Sequence, residues 1–224
     1  MASTADRRST DLLNGTTLEF FGKLTASATH EIKNSLAIIN ENAGLLQDLA
    51  AMAQNGDTLS SGRVADVSGR IERHVKKADN IVKRLNRFSH STDHPRQAID
   101  LERTLSFILD MGSRLLEMKG AAVTLIPHDA PIQINTRLSF FQALVWRCVE
   151  AACLKSDETE QLTISFDTRS GAPGIWFTPD MILQTSMETL VDSEKTQTLL
   201  RHLDISIEIN IDEKRFGLIL PNPN

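Results

Sequence analysis

A long apolar periodicity near the N-terminus limits the possible folds more than any other feature of the sequence. Apolar and small residues step by threes and fours, and once by seven, at Leu18, Phe21, Thr25, Ala28, Ile32, Ser35, Ile39, Leu46, Leu49 and Ala53, with Leu36 and Ala43 beside them. That spacing is typical of a helix with one buried face. His30 lies two residues before Ile32, and Asn34 lies one turn after His30, so both fall on the opposite, water-facing side together with Ser27. The sequence therefore predicts a helix that displays a histidine.

The residues around this histidine, His30-Glu-Ile-Lys-Asn-Ser-Leu36, resemble the H-box of the two-component histidine kinases. An exposed helix histidine alone is usually an ordinary surface residue, but these neighbours favour a functional role. The resemblance implies that His30 accepts a phosphoryl group, that Glu31 orients and activates it, and that Asn34 positions water for dephosphorylating a partner. Many family members have proline where this chain has Ser35. Because proline kinks a helix, we expect this helix to run straighter past its histidine.

A second periodic run follows a polar turn and predicts a helical hairpin. Its apolar positions are Val64, Val67, Ile71, Val75, Ala78, Ile81, Val82, Leu85 and Phe88. We expect a flexible lead-in over residues 1–15, a first helix capped by Thr16 or Thr17, and two antiparallel helices over 16–90. One hairpin cannot cover both apolar stripes, and burying each Leu, Ile or Val stabilises by roughly 1.5–3 kcal/mol. A homodimeric four-helix bundle satisfies both stripes, and the resemblance implies the same.

The remainder of the chain alternates helices and strands after a linker at residues 91–98. We expect helices over 100–119, 136–154 and, in two pieces, 181–202, and strands over 122–126, 131–134, 161–167, 175–178, 205–211 and 215–220. This order of elements resembles the ATP-binding domain of the same kinases. The expected fold class is therefore α+β, with a hairpin that forms a dimeric bundle followed by a small α/β sandwich over 99–224.

Three features of that family's nucleotide site are missing. The two asparagine positions of the family fall at Trp146 and Glu150. The run Thr178-Pro-Asp-Met181 stands where the family has an aspartate-glycine turn for adenine, and no glycine lies between Gly174 and Gly217, where it has a glycine-rich lid. Backbone approaches a polyphosphate closely only where side chains are absent. We expect a degenerate domain that binds no ATP productively and holds no stable cofactor, with Mg²⁺ supplied by a partner.

Composition limits the remaining classes of function. The net charge of −5 and the absence of tyrosine argue against nucleic-acid binding. No apolar run approaches the roughly 18 residues of a membrane span, so we expect a cytoplasmic protein without a membrane partner. Cys148 and Cys153 point to different faces of one helix and are expected to stay reduced. His90, Asp93 and His94 have the spacing of metal ligands on a helix, but the loop composition and the following proline argue against a metal site.

These observations favour two-component signalling by a histidine phosphotransferase, which exchanges a phosphoryl group between His30 and a response-regulator aspartate. Two alternatives stay open. One is an ATP-dependent sensor histidine kinase with a diverged nucleotide site, and the other is a response-regulator phosphatase or adaptor. The expected partners are a response-regulator receiver domain, a second copy of this chain and, as a further candidate, an upstream histidine kinase.

Overall fold

The computed structural model describes residues 4–56, 58–153, 160–169, 172–180 and 184–221. The chain forms two compact units, one from residues 25–90 and the other from residues 1–24 together with 91–224. Helix α1, Thr4–Gln54, is shared between the two units. Its residues up to 24 belong to the unit that includes 91–224, and its residues from 25 onward belong to the unit 25–90. Among the helices described, none is long and apolar enough to cross a membrane.

The hairpin unit consists of the later part of α1 and of α2, Ser61–Ser89. The two helices run antiparallel. The evidence is a groove between them that is lined by residues 38–48 of α1 and by Arg70 and His74 of α2, at similar distances from the connecting turn. Its buried seam repeats every seven residues. The seam consists of Ala28, Ser35, Asn42 and Leu49 on α1 and of Val67, Ile81 and Phe88 on α2, with the half-buried His74 in the same line. A seven-residue repeat keeps one line of side chains facing a partner helix.

The apolar stripe expected on the hairpin is only partly buried within one chain. Leu36 is 54% exposed, Val75 49% and Val82 51%, although the periodicity placed all three on the inner face. Thr25 is exposed as well. Two helices in contact cover only a narrow seam, whereas the stripe read from the sequence is wider. The exposed remainder is the surface that a further pair of helices would cover.

Helix α1 begins at Thr4 rather than at Thr16 or Thr17, so residues 4–15 are helical and are not the flexible lead-in that we expected. The hydroxyls of Thr16 and Thr17 donate to carbonyl oxygens four residues earlier, at 2.7 and 2.9 Å, which is a helix-interior arrangement and not a cap. The buried residues of this segment are Leu13, Thr16, Thr17, Phe20 and Leu24, while Leu18 is 73% exposed, contrary to expectation. Packing of an amphipathic face within the α/β unit explains the longer helix.

The α/β unit contains the elements expected from the sequence, in the expected order, together with one that was missed. They are β1 (Gln97–Asp100), α3 (Leu101–Lys119), β2 (Ala121–Leu125), β3 (Gln133–Thr136), α4 (Leu138–Ala152), β4 (Glu160–Arg169), β5 (Ala172–Pro179), α5 (Gln184–Asp192), α6 (Glu194–Leu203), β6 (Ser206–Asn210) and β7 (Arg215–Ile219). The missed strand is β1, which pairs antiparallel with β3 in a separate two-stranded sheet. It falls partly within the stretch that we assigned to a linker.

The main sheet has the strand order β2-β4-β5-β7-β6. β2 and β4 are parallel, and the other neighbouring pairs are antiparallel. Alternate residues form one continuous apolar face of the sheet: Leu162, Ile164, Ile175, Phe177, Phe216 and Leu218, all buried. Phe177 and Phe216 are partners in register, and their rings stack with centroids 5.0 Å apart. The expected α+β fold class is confirmed.

Candidate functional site

The displayed histidine lies on an unbroken helix. Helix α1 continues through the buried Ser35, the position where a proline would have interrupted it. His30 and Asn34 are exposed, as expected, and Glu31 is half-buried. Ser27 is buried and not exposed as we expected, because it lies one turn after Leu24 and beside Ala28, which are both buried.

Within the described part of the chain, the side chains of His30, Glu31 and Asn34 make no hydrogen bond or ion pair. The imidazole is therefore open to a molecule that approaches from solvent. A neutral imidazole has a nitrogen lone pair that can attack phosphorus. The structure places His30, Glu31 and Asn34 on one stretch of α1, but it shows no hydrogen bond between Glu31 and His30.

Trp146, at one of the two family asparagine positions, fills space in the α/β unit. Its side chain is 2% exposed and its ring centroid lies 6.1 Å from that of Phe20 on α1. A Cβ at Gly112 of α3 would come within 2.1 Å of the Trp146 ring, so the indole occupies the space that a side chain at position 112 would need. The tryptophan thus joins α4 to α3 and to the first part of α1.

Glu150, at the other asparagine position, is paired with a residue of the same chain. Its two carboxylate oxygens accept from Lys23 Nζ at 3.0 and 3.2 Å. One turn earlier on α1, Glu19 accepts from Lys195 Nζ at 2.6 Å. The pKa of Glu19 is below its usual value because of the hydrogen bond from Lys195, with further attraction to Lys23 and Arg147. Charged side chains of α1 therefore occupy this face of α4 and α6.

Two further contacts tie the surrounding elements together. Arg147 of α4 donates to Thr196 Oγ1 at 3.0 Å and to Ser193 Oγ at 2.9 Å, which fixes the start of α6. At the position of the family's adenine turn, Asp180 follows the end of β5, and its carboxylate accepts from the Gln161 amide at 3.1 Å. Met181, the last residue of the expected turn, lies outside the described residues.

The contacts of Trp146 with Phe20 and of Glu150 with Lys23 were not predicted from the sequence, nor was the pairing of Glu19 with Lys195. Glu19 and Lys23 are four residues apart, the spacing of a helix-surface ion pair, and their Oε1 and Nζ atoms are 3.7 Å apart. This four-residue spacing is the one feature of the sequence that indicated an ion pair here. It did not identify Glu150 and Lys195, which are far away in the sequence, as further partners.

Neither the candidate metal ligands nor the two cysteines form a metal or disulfide site in the described part of the chain. No group of three or more His, Cys, Asp or Glu side chains suited to a metal ion is found among the described residues. His90 ends α2 in a short 3-10 turn, so the helical spacing assumed for a metal site with Asp93 and His94 is not present. The thiols of Cys148 and Cys153 are buried and form no disulfide in the described part of the chain, and burial raises the pKa of the Cys148 thiol to about 12.

Comparison with known proteins gives structural neighbours only. No protein-family model and no curated protein matches the sequence. The Acinetobacter baumannii histidine kinase AdeS is 12% identical and aligns over 82% of this chain and 96% of its own, with a TM-score of 0.46. The ATP-binding domain of PrrB from Mycobacterium tuberculosis is 14% identical over 58% of this chain and 100% of its own, with a TM-score of 0.45.

A third structure is the histidine kinase ThkA, solved in complex with the response regulator TrrA. It is 12% identical over 92% of this chain and 63% of its own, with a TM-score of 0.44, so this chain spans less than two thirds of that one. These neighbours come from the family whose H-box the residues from His30 to Leu36 resemble. In fold, the chain is similar to these histidine kinases.

Proposed function

We propose that this protein is a histidine phosphotransferase of two-component signalling. It carries a phosphoryl group on His30 and exchanges it with the aspartate of a response-regulator receiver domain. The observation that carries the proposal is the exposed His30 on α1, with Glu31 beside it and the exposed Asn34 one turn further along. Exposed polar side chains that make no hydrogen bond or ion pair with the described residues of their own chain are available to a partner.

The transfer is a displacement at phosphorus. One imidazole nitrogen of His30 attacks the phosphorus of an aspartyl phosphate, a nitrogen–phosphorus bond forms, and the aspartate leaves as a carboxylate while the other ring nitrogen keeps its proton. Such transfer needs mainly positioning and charge neutralisation. Mg²⁺ held by the receiver domain would supply the charge. Glu31 would orient the imidazole, and the reverse step would return the phosphoryl group to a second receiver domain.

The α/β unit supports a role that depends on an external phosphate donor. Trp146 is packed against Phe20, and Glu150 is paired with Lys23, so neither is free to hold Mg-ATP as the family's asparagines do. Calorimetry with Mg-ATP should show no binding. Micromolar affinity would instead favour the alternative of an ATP-dependent histidine kinase with a diverged nucleotide site.

The proposal includes a homodimer formed through the hairpin. Apolar side chains remain exposed on one hairpin, namely Leu36, Leu45 and Met52 of α1 and Val75 and Val82 of α2, and they give it uncovered apolar surface. A second copy in a two-fold arrangement would bury this surface in a four-helix bundle. Light scattering on the full chain tests this part of the proposal.

A transfer assay tests the phosphotransferase function. Receiver domains of the same organism, charged with labelled acetyl phosphate, are mixed one at a time with the protein. We expect at least one to give the protein an acid-labile, base-stable label, which is the behaviour of a phosphoramidate. His30→Ala should abolish the label, whereas His90→Ala, a change of another exposed histidine, should keep it. A label that persists in His30→Ala would contradict the proposal.

Asn34 favours one second candidate function, that of a response-regulator phosphatase. Its exposed amide lies one helical turn from His30, where it can hold a water beside a bound aspartyl phosphate. Asn34→Ala should then keep the label on His30 and slow the loss of phosphate from the receiver domain. If the wild type acquires no label but speeds that loss, the phosphatase function replaces the transferase one. If neither activity appears, the chain is an adaptor.

A further inference from the structure

We propose that a groove in the α/β unit binds a small amphipathic anion, namely a carboxylate or phosphate monoester attached to an apolar group. The groove, of about 580 Å³, lies between the first part of α1, the loop before β1 and the start of α4, and Leu18, Phe21, His94, Pro95, Arg137 and Phe140 contribute to its lining. We call it the Arg137 groove. The proposal is independent of the chemistry at His30.

The apolar part of the Arg137 groove comes from separate elements. Leu18 is 73% exposed, and Phe21 follows it by three residues on the same side of α1. Phe140 and Pro95 contribute from α4 and from the loop before β1. Single exposed leucines are ordinary, but four apolar side chains around one cavity of this volume form the kind of surface that small ligands use.

The charged part of the groove is positive. The Arg137 guanidinium carbon lies 5.7 Å from the centroid of the Phe140 ring, and the His202 ring meets the same phenyl ring edge-on at 5.3 Å. Arg96, which donates to the Asn135 carbonyl at 3.0 Å, is close enough to repel positive charge on His202.

Among the described lining residues of the Arg137 groove none is acidic, although the chain carries a net charge of −5. The carboxylates adjacent in sequence are Glu19, which is paired with Lys195, and Asp93, which precedes the lining residue His94. Positive side chains beside an apolar floor are complementary to a ligand that joins an anionic group to an apolar one.

The state of His202 supports the same conclusion. The pKa of His202 is below its ordinary value, first because part of the ring is buried and then because Arg137 and Arg96 repel a proton. An anion bound beside Arg137 in the groove would offset that repulsion and raise the pKa of His202. The groove is separate from Trp146 and Glu150, the positions of the family's two asparagines, because Trp146 lies more than two helical turns along α4 from Arg137.

Phenyl phosphate is a suitable probe for the full-length protein, with inorganic phosphate and phenol as the two partial probes. We expect phenyl phosphate to bind more tightly than either partial probe, as measured by calorimetry. Saturation should raise the pKa of His202, followed through its ring resonances by NMR. Arg137→Gln should weaken binding about tenfold or more, the usual effect of losing a charge-assisted hydrogen bond, and Arg137→Lys should restore part of it. Phe140→Ala should remove the preference over inorganic phosphate.

Arg201→Gln is the matched control, because it removes the same charge one residue from His202 at an exposed position that does not line the groove. It should leave the affinity unchanged, and circular dichroism checks that each variant is folded. The proposal is overturned if phenyl phosphate does not bind the wild type. It is also overturned if inorganic phosphate binds equally well, or if Arg201→Gln weakens binding as much as Arg137→Gln does.

Discussion

Gly112→Ala tests whether Trp146 is held in place as the structure shows. An alanine Cβ at position 112 would lie 2.1 Å from one ring carbon of Trp146 and 2.3 Å from another, well inside contact distance. The ring cannot easily move away, because it is 2% exposed and packs against Phe20. Forced overpacking of a core costs about 1–3 kcal/mol, whereas glycine to alanine inside a helix gains up to about 1 kcal/mol. We expect net destabilisation of about 1 kcal/mol.

Urea unfolding followed by tryptophan fluorescence measures this change, because both tryptophans, Trp146 and Trp176, lie in the α/β unit. Gly22→Ala is the matched control in the same unit, since a Cβ there meets nothing within 4 Å. It should be neutral or stabilising. Replacing Trp146 by leucine should make Gly112→Ala less costly. If Gly112→Ala stabilises the protein as Gly22→Ala does, the packing described for Trp146 is wrong.

Three further predictions concern the hairpin, the ion pairs and the thiols. Leu36→Asp should shift the full chain from dimer to monomer in light scattering, because it charges the exposed apolar surface of the hairpin. Glu19→Gln should reduce stability near neutral pH by less than about 1 kcal/mol, since the ion pair with Lys195 is partly exposed. Because the pKa of Glu19 is lowered in the folded chain, its contribution is present above the ordinary carboxylate pKa and lost as the pH falls, so the variant and the wild type should converge in acid urea titrations. Cys148, buried and with a pKa of about 12, should react with thiol reagents only after unfolding.

The elements predicted best are those whose ends are encoded locally. Asp100 caps α3 by accepting from the Arg103 amide at 2.9 Å, and Gly120 ends the same helix with φ of 73°. Both residue types are typical of these positions. The final hairpin, β6 and β7, also follows its alternating pattern and pairs as expected.

The features that the sequence did not reveal depend on contacts between distant residues. The first part of α1 is polar in composition, and its helix is explained by packing of Leu13, Phe20 and Leu24 within the α/β unit. Strand β1 is four residues long and buries only Ile99, so its pattern is too short to recognise. At the candidate site the exposure of His30 and Asn34 followed from helix periodicity, whereas the burial of Ser27 depended on its neighbours.

Locating the phosphoryl group on the protein tests the central claim most directly. The full chain is incubated with its phosphorylated receiver domain and digested at basic pH, where phosphohistidine survives, and the peptides are then sequenced by mass spectrometry. We predict that the phosphoryl group is found on His30 and not on the other exposed histidines, such as His90 and His94. A phosphoryl group on another residue of the chain would contradict the account.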